Sequence, residues 1–196
     1  VLECIRGQAL MYQVPEIADI TEALSKFFRY SINTKSNVVT IREELENVRN
    51  YMKIQQFRFK NRLSLETVED EEVFSGMIPK LSLQPIVENA IEHGFAHKSE
   101  DNEIRIEIIR TMKHVNIRIS DNGCGMNFLK LQELKERIYA RELPDTEKSS
   151  AHNGIALYNV NRRLQLYFGE EYGLNVSSIE NLGTDFEIYI PLQKGV

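Results

Sequence analysis

The chain has 196 residues, 42% of them hydrophobic and 27% charged, which is enough for one ordinary globular domain or one domain with an appendage. Its net charge of -5 argues against nucleic acid or an anionic membrane as a bulk partner, so any bound phosphate must be met locally by backbone amides, single basic side chains or a metal. Cys4 and Cys124 stand far apart without metal-ligand spacing, and no apolar run approaches the roughly 20 residues that span a bilayer. Together these indicate a cytosolic protein or the cytosolic part of something larger.

Residues 1–13 are apolar and helix-compatible and stop at Val14-Pro15. From Glu16, the positions Ile17, Ile20, Leu24, Phe27 and Ser31 step by three and four, a narrow seam that predicts a second helix and a helical hairpin needing a partner. "NTKSNVVT" is a polar linker that ends in a strand-to-helix entry. In "TIRE" a capping box is expected, with Thr40 as N-cap and Glu43 three residues on. The helix it opens puts Ile41, Leu45, Val48, Met52 and Gln55 on one face and is expected to reach about Asn61.

"RLSLETV" alternates like a half-buried strand, and Glu69 to Glu72 form an acidic turn. Lys80 to Phe95 reads as one helix, apolar at Leu83, Ile86, Val87, Ala90 and Ile91, with Pro85 in the first turns where proline is tolerated. "IRIEIIR" and "VNIRISD" predict an antiparallel hairpin. The polar stretch from Met126 to Asn153 contains one amphipathic helix (Leu129, Leu131, Leu134, Ile138), then "ELPDTEKSSAHN", which has the composition of a loop. A helix from Ile155 to Phe168 follows, then strands "LNVSSIE" and "DFEIYIP" around the turn "NLGT". The fold class is therefore α+β: a two-layer sandwich of a mostly antiparallel sheet with helices on one face, behind a helical hairpin.

Four clusters could carry chemistry. In "VENAIEHG", Glu88, Asn89, Glu92 and His93 share a helix face opposite the apolar stripe, and an asparagine amide oxygen suits a Mg²⁺ already ligated by phosphate and water. In "DNGCGM", Asp121 ends a strand and can accept a hydrogen bond from an exocyclic amine, while Gly123 and Gly125 allow backbone to approach a flat ring. Gly154 and Ala156 stand where a loop becomes a helix, and free amides there attract anions. Thr184 follows a glycine turn at the head of the last strand. Each taken singly has a plainer account: a solvated polar face, a tight Asp-Asn-Gly turn, a helix start, a turn.

Their order and spacing carry more. "ENAIEHG", "DNGCGM", a long polar segment, "GIALYNVNRRL" and "GTDFEIYIP" resemble the boxes of the histidine-kinase/gyrase/Hsp90-type ATPase fold. The preceding "LSKFFRYSI", "EELENVRNYMKIQQFRFKNRL" and "IPKLSLQPIVENAI" look like the LytS/YesM branch of sensor histidine kinases, so the resemblance covers essentially the whole chain. It implies the ATP-binding Bergerat-type fold, with Asn89 ligating Mg²⁺ between the phosphates. Asp121 would receive the adenine amino group in a pocket shaped by Gly123, Gly125 and Met126, supported by Thr184. Gly154, Ile155, Ala156 and Leu157 would offer backbone to the phosphates, and Glu88 and His93 would line the catalytic face. Residues 126–153 would be the ATP lid.

Three departures stand out. Ala156 occupies a position where a second glycine is common, and its small methyl should leave binding intact. Glu92 replaces a frequent lysine. Pro85 stands four residues before Asn89, where related ATPases place a catalytic carboxylate or amide, so no hydrolytic base is expected there. The four histidines, His93, His97, His114 and His152, all lie in the ATP-binding half. The resemblance puts the phosphoacceptor in a "PHF-L-N" motif before the segment like "LECIRGQA". The chain is accordingly expected to be part of a longer one: residues 1–36 the end of a dimerisation and phosphotransfer hairpin, residues 37–196 the ATP-binding domain.

The implied function is transfer of the γ-phosphate of ATP to an upstream histidine for relay to a response regulator, in a homodimeric, membrane-bound bacterial receptor whose cytoplasmic part this is. By itself the chain is expected not to autophosphorylate. A different class of reading is a catalytically inactive nucleotide-binding or dimerisation module. A gyrase- or Hsp90-like ATPase is disfavoured by Pro85.

Overall fold

The computed structural model describes residues 1–32, 36–60, 62–95, 101–142 and 152–192. Helix α1 (Leu2–Met11) and helix α2 (Pro15–Ile32) form the hairpin, turning at Gln13 in the left-handed region. The apolar seam of α2 is not what it buries. Ile17 is 42% exposed, whereas Ala18, Thr21, Ala23 and Ser25 are buried. Small side chains let α2 lie close between α1 and the next helix, and the larger ones are left at the margins. Phe27 turns toward that next helix and stacks on Tyr51, ring centroids 5.7 Å apart.

Gly7, inside α1, has open space where a Cβ would stand. Gly7→Ala is therefore expected to stabilise the chain by about 0.5–1 kcal/mol, because it removes unfolded-state freedom without a clash. A rise in the urea midpoint at unchanged slope would show it.

Strand β1 (Val38–Thr40) leads into α3 (Ile41–Arg58) through the expected capping box: Thr40 Oγ1 accepts from the Glu43 amide at 3.2 Å, and Glu43 Oε2 accepts from the Thr40 amide at 2.8 Å. Ile41, Leu45, Val48 and Met52 are all buried, as the spacing predicts. The helix ends three residues before the expected Asn61, where Lys60 takes a left-handed turn. Strand β2 (Leu63–Glu69) and a short 3-10 turn (Glu71–Val73) precede β3 (Met77–Pro79), which pairs antiparallel with β1. Sequence patterning does not announce β3, since three residues are too few for a period.

The long helix expected over 80–95 is instead a short α4 (Gln84–Asn89) continued by a wider π-type turn (Ala90–Gly94), in which the Phe95 amide donates to the Ala90 carbonyl at 3.1 Å. Strands β4 (Asn102–Arg110) and β5 (His114–Asp121) form the predicted hairpin. Helix α5 (Phe128–Ile138) follows, then α6 (His152–Phe168), β6 (Gly173–Ile179) and β7 (Gly183–Pro191). Most of the predicted "ELPDTEKSSAHN" loop lies outside the described residues.

The main sheet runs β2-β4-β5-β7-β6 and is antiparallel except for the parallel pair β2–β4. Alternation sorts its faces. Ile104, Ile106, Ile108, Val115, Ile117, Ile119, Phe186, Ile188 and Ile190 are buried on one side, beneath α3, α4 and α6. A fully buried side chain of this kind contributes about 1.5–3 kcal/mol relative to exposure. The other face carries charges that alternate across the strands: Glu66 with Arg105, Arg105 with Glu107, and Arg118 with Glu187 at 2.6 Å. Such exposed pairs mainly fix register and keep this face in water.

Candidate functional site

The two-layer packing leaves a cleft of about 290 Å³ between the π-type turn, the C-terminal end of β5, the head of β7 and helix α5. It is lined by Asn89 from the end of α4 and His93 from the π-type turn, Asp121 from β5, Thr184 from β7, and Lys130, Leu134 and Arg137 from α5, with Gly125 and Met126 between. Three of the four clusters singled out in the sequence therefore meet, with α5, around one space.

The face expected to hold Glu88, Asn89, Glu92 and His93 together is split. Asn89 and His93, four apart across the change of helix pitch, face the cleft. Glu88 does not line it; its carboxylate accepts a hydrogen bond from Gln84 Nε2 at 2.7 Å. Burial first, then the charges of Glu88 and Glu92, push the Tyr51 phenol on α3 up to about 12. Asn89 and His93 thus line the cleft and the two glutamates do not. Cys124 Sγ, 3.4 Å from the His93 carbonyl oxygen, caps the turn.

Asp121 is 8% exposed at the strand end, and its Oδ1 accepts from the Gly123 amide at 2.8 Å. Its strand partner in β7 is Thr184, and Thr184 Oγ1 lies 3.0 Å from Ser178 Oγ. Ser178 also accepts from the Met126 amide at 2.8 Å and donates to the Gly183 carbonyl, so this β6 hydroxyl ties the loop after β5 to the head of β7. The "DNGCG" glycines have structural reasons that sequence alone does not reveal. A Cβ on Gly123 would lie 2.4 Å from the Gly94 carbonyl oxygen, and one on Gly125, at φ +59°, would lie 2.0 Å from the Ile179 carbonyl oxygen. Both serve loop-to-backbone contact, and Gly125 in addition lines the cleft.

Gly154, Ile155, Ala156 and Leu157 are not in the cleft lining. Helix α6 opens at His152, three residues before the expected Ile155, which leaves Gly154 in the first turn, where amides have no carbonyl of the helix to bond. Ala156 and Leu157 fall past the free amides, and the Leu157 side chain is core. Gly154 approaches the site from behind: a Cβ there would stand 3.0 Å from Arg137 Cδ. The residues that sequence reasoning passed over are Lys130 and Arg137. They stand seven apart on the face of α5 that carries Leu134, so two cations line a wall of the cleft. The signal was present as a basic-apolar-basic spacing, but within a segment read as a lid.

Among the described residues no group of three or more His, Cys, Asp or Glu could hold a metal ion. Asn89 lines the cleft, and its amide oxygen would suit a cation that brings phosphate and water as its other ligands. A carboxylate end, a threonine, a neutral amide and two cations in one half-open space can receive a polyanion with a hydrogen-bonding base.

Known proteins place this arrangement. The family described as histidine kinase-, DNA gyrase B-, and HSP90-like ATPase matches residues 79–194, and the histidine kinase family matches residues 1–63. The chain belongs to the histidine kinase-, DNA gyrase B- and HSP90-like ATPase family. In sequence it is 37% identical over its full length to the sensor histidine kinase YesM of Bacillus subtilis, and 33% identical over 96% of its length to the sensor protein kinase HptS of Staphylococcus aureus. It spans 31% and 35% of those relatives, about a third of each. Among solved structures it is similar to the histidine kinase domain of the Erythrobacter litoralis EL346 blue-light activated kinase, with a TM-score of 0.53 at 15% identity over 97% of this chain and 85% of that one. The catalytic domain of histidine kinase ThkA gives a TM-score of 0.56 at 16% identity, over 79% of this chain and 95% of the other. These two likenesses concern the fold.

Proposed function

We propose that the chain is the ATP-binding catalytic part of a sensor histidine kinase, and that the γ-phosphate of ATP passes from its cleft to a histidine upstream of Val1 and on to a response regulator. The observation that carries this reading is the convergence of Asn89, His93, Asp121 and Thr184 on one cleft with Lys130 and Arg137 in its wall. Residues 1–36 would be the end of the phosphotransfer hairpin and 37–196 the ATP-binding domain. The exposed Ile17 and Phe28 of α2 suit a homodimer in the full-length protein. No described helix is long and apolar enough to cross a membrane, so attachment to a bacterial membrane would come through other segments of the parent receptor.

In the cleft, Asp121 would accept the amino group of adenine beside Thr184. Asn89 would hold Mg²⁺, which when bound neutralises charge between the phosphates. Lys130 and Arg137 would face the phosphate tail, with the first turn of α6 at Gly154 behind them. His93 lies within the same cleft and could order water or phosphate; Glu88 would act through Gln84 rather than on nucleotide. Transfer of this kind asks for alignment and charge neutralisation, and these residues are suited to both. Pro85 lies on α4 where a hydrolytic base would be needed, in keeping with transfer to histidine rather than to water.

Calorimetric titration of ATP and ADP, with and without Mg²⁺, tests this. Micromolar binding, about -8 kcal/mol, strengthened by Mg²⁺, is the expected result. No binding at millimolar nucleotide overturns it. Binding without transfer in a chain extended through the upstream histidine would favour an inactive nucleotide-binding module instead.

A further inference from the structure

Glu44, on α3, is 0% exposed, and a carboxylate so buried needs partners on every side. It has them. Its two oxygens accept the amides of Leu81 at 2.6 Å, Ser82 at 2.8 Å and Leu83 at 2.9 Å, and the hydroxyl of Tyr30 from the last turns of α2. The three amides belong to the loop from β3 into α4, the helix that ends at Asn89. Arg163 of α6 holds the same loop by its other polar groups, donating to the Lys80 and Leu81 carbonyls at 2.7 Å each. Leu81 sits at φ +60°, a left-handed conformation unfavourable for a leucine that this double grip maintains. Lys80 Nζ donates to the Tyr30 carbonyl and stands 4.7 Å above its ring.

Two of these bonds leave the ATP-binding unit and hold the end of α2, both through Tyr30. Burial first, then the neighbouring Glu44 charge, raise the Tyr30 phenol far above its usual range, so it stays a donor to that carboxylate. The remaining bonds run between α3, the loop and α6, all within the ATP-binding unit. Cutting the Tyr30 hydroxyl therefore loosens α2, leaving it the Lys80 bond to the Tyr30 carbonyl, without removing the cap on α4.

We propose that Tyr30 and Glu44 are positioning residues for phosphoryl transfer: their hydrogen bond latches the helical hairpin at a set angle to the cleft, so that losing it slows transfer to histidine while leaving nucleotide binding intact. This rests on the kinase reading above. The residues proposed to meet adenine and phosphate lie in or beside the cleft, whereas delivery of the γ-phosphate requires the hairpin to be aimed, and misaiming of about 1 Å is enough to cost a large factor in rate.

The test uses Tyr30→Phe, Glu44→Gln and the double variant in the full-length protein, reading transfer from labelled ATP and KM for ATP. Tyr30→Phe is expected to lower kcat about tenfold with KM within about twofold, and the double variant to be no slower than Glu44→Gln alone, as for two groups acting as one. An unchanged kcat, a fall in affinity matching the fall in rate, or multiplying effects would each overturn it. Should the unaltered protein transfer no phosphate, the kinase reading fails while the latch is still judged by amide exchange. Faster exchange in α2 of Tyr30→Phe with the amides of Leu81, Ser82 and Leu83 still protected supports it, and unchanged exchange in α2 overturns it.

Discussion

Asp121→Asn is expected to lower ADP affinity by about 10- to 100-fold while the protein remains folded, the loss of one hydrogen bond to a charged acceptor at a buried site. The substitution is mild for the structure, because an amide oxygen can still accept from the Gly123 amide as Oδ1 does now at 2.8 Å. The other oxygen becomes a donor, and an amino group presented to a donor is left unsatisfied. The choice of base supplies the control. Inosine diphosphate carries a carbonyl where adenine carries its amine, so the unaltered protein should prefer ADP and the variant should lose or reverse that preference. Equal affinities of both proteins for ADP in calorimetry would remove Asp121 from the site and with it the orientation of nucleotide proposed here.

The second large effect concerns Gly183. At φ +122° it lies outside the range of ordinary side chains, and a Cβ there would stand 1.9 Å from the Asp121 carbonyl oxygen and 3.1 Å from Asn122 Cα. Both obstacles are backbone, so no rotamer change relieves them. Gly183→Ala is expected to cost roughly 3–5 kcal/mol, seen as a fall of roughly 10 °C in Tm for a chain of this size. Because Asp121 pairs with Thr184 in the adjoining register position, nucleotide affinity should fall with it. A loss below about 1 kcal/mol would mean that the β6–β7 turn relaxes freely and does not set the Asp121 end of the cleft. The contrast with Gly7→Ala, which should act in the opposite direction, separates a glycine held by contact from one merely tolerated.

Much of the fold was legible because its signals are local. The period-two alternation of "IRIEIIR" and "VNIRISD" requires a strand pair with one wet face, and the structure has it. The Thr40–Glu43 box marks the start of α3 because side-chain caps satisfy amides within three residues. The site was legible in part, through the spacing of "ENAIEHG", "DNGCG" and "GTD", which brought Asn89, His93, Asp121 and Thr184 to attention before their meeting was visible. Where the reading went astray, distance along the chain was the cause. Leu83 to Ile91 are apolar at helical spacing whether the turn is α or π, so nothing local foretold the change of pitch after Asn89. The spacing of Ile17, Ile20, Leu24, Phe27 and Ser31 marked a face of α2 in need of a partner, but not that close packing between two helices buries Ala18, Thr21 and Ser25 instead.

By itself the sequence determined the strands of the main sheet, the amphipathic faces, the capped helix start and the residue types available for nucleotide, since these follow from side-chain periodicity and from which backbone groups neighbouring residues can satisfy. Only the tertiary structure decided that β2 lies parallel to β4, that Lys130 and Arg137 join the cleft wall, and that Glu44 holds the loop before α4 with Tyr30 on its other side. Each of those depends on groups 37 or more residues apart in the case of Glu44 and the loop, or on the closing of separate layers around a common space. A buried charge is committed to whatever donors the fold brings to it, and no pattern within a single segment can name them.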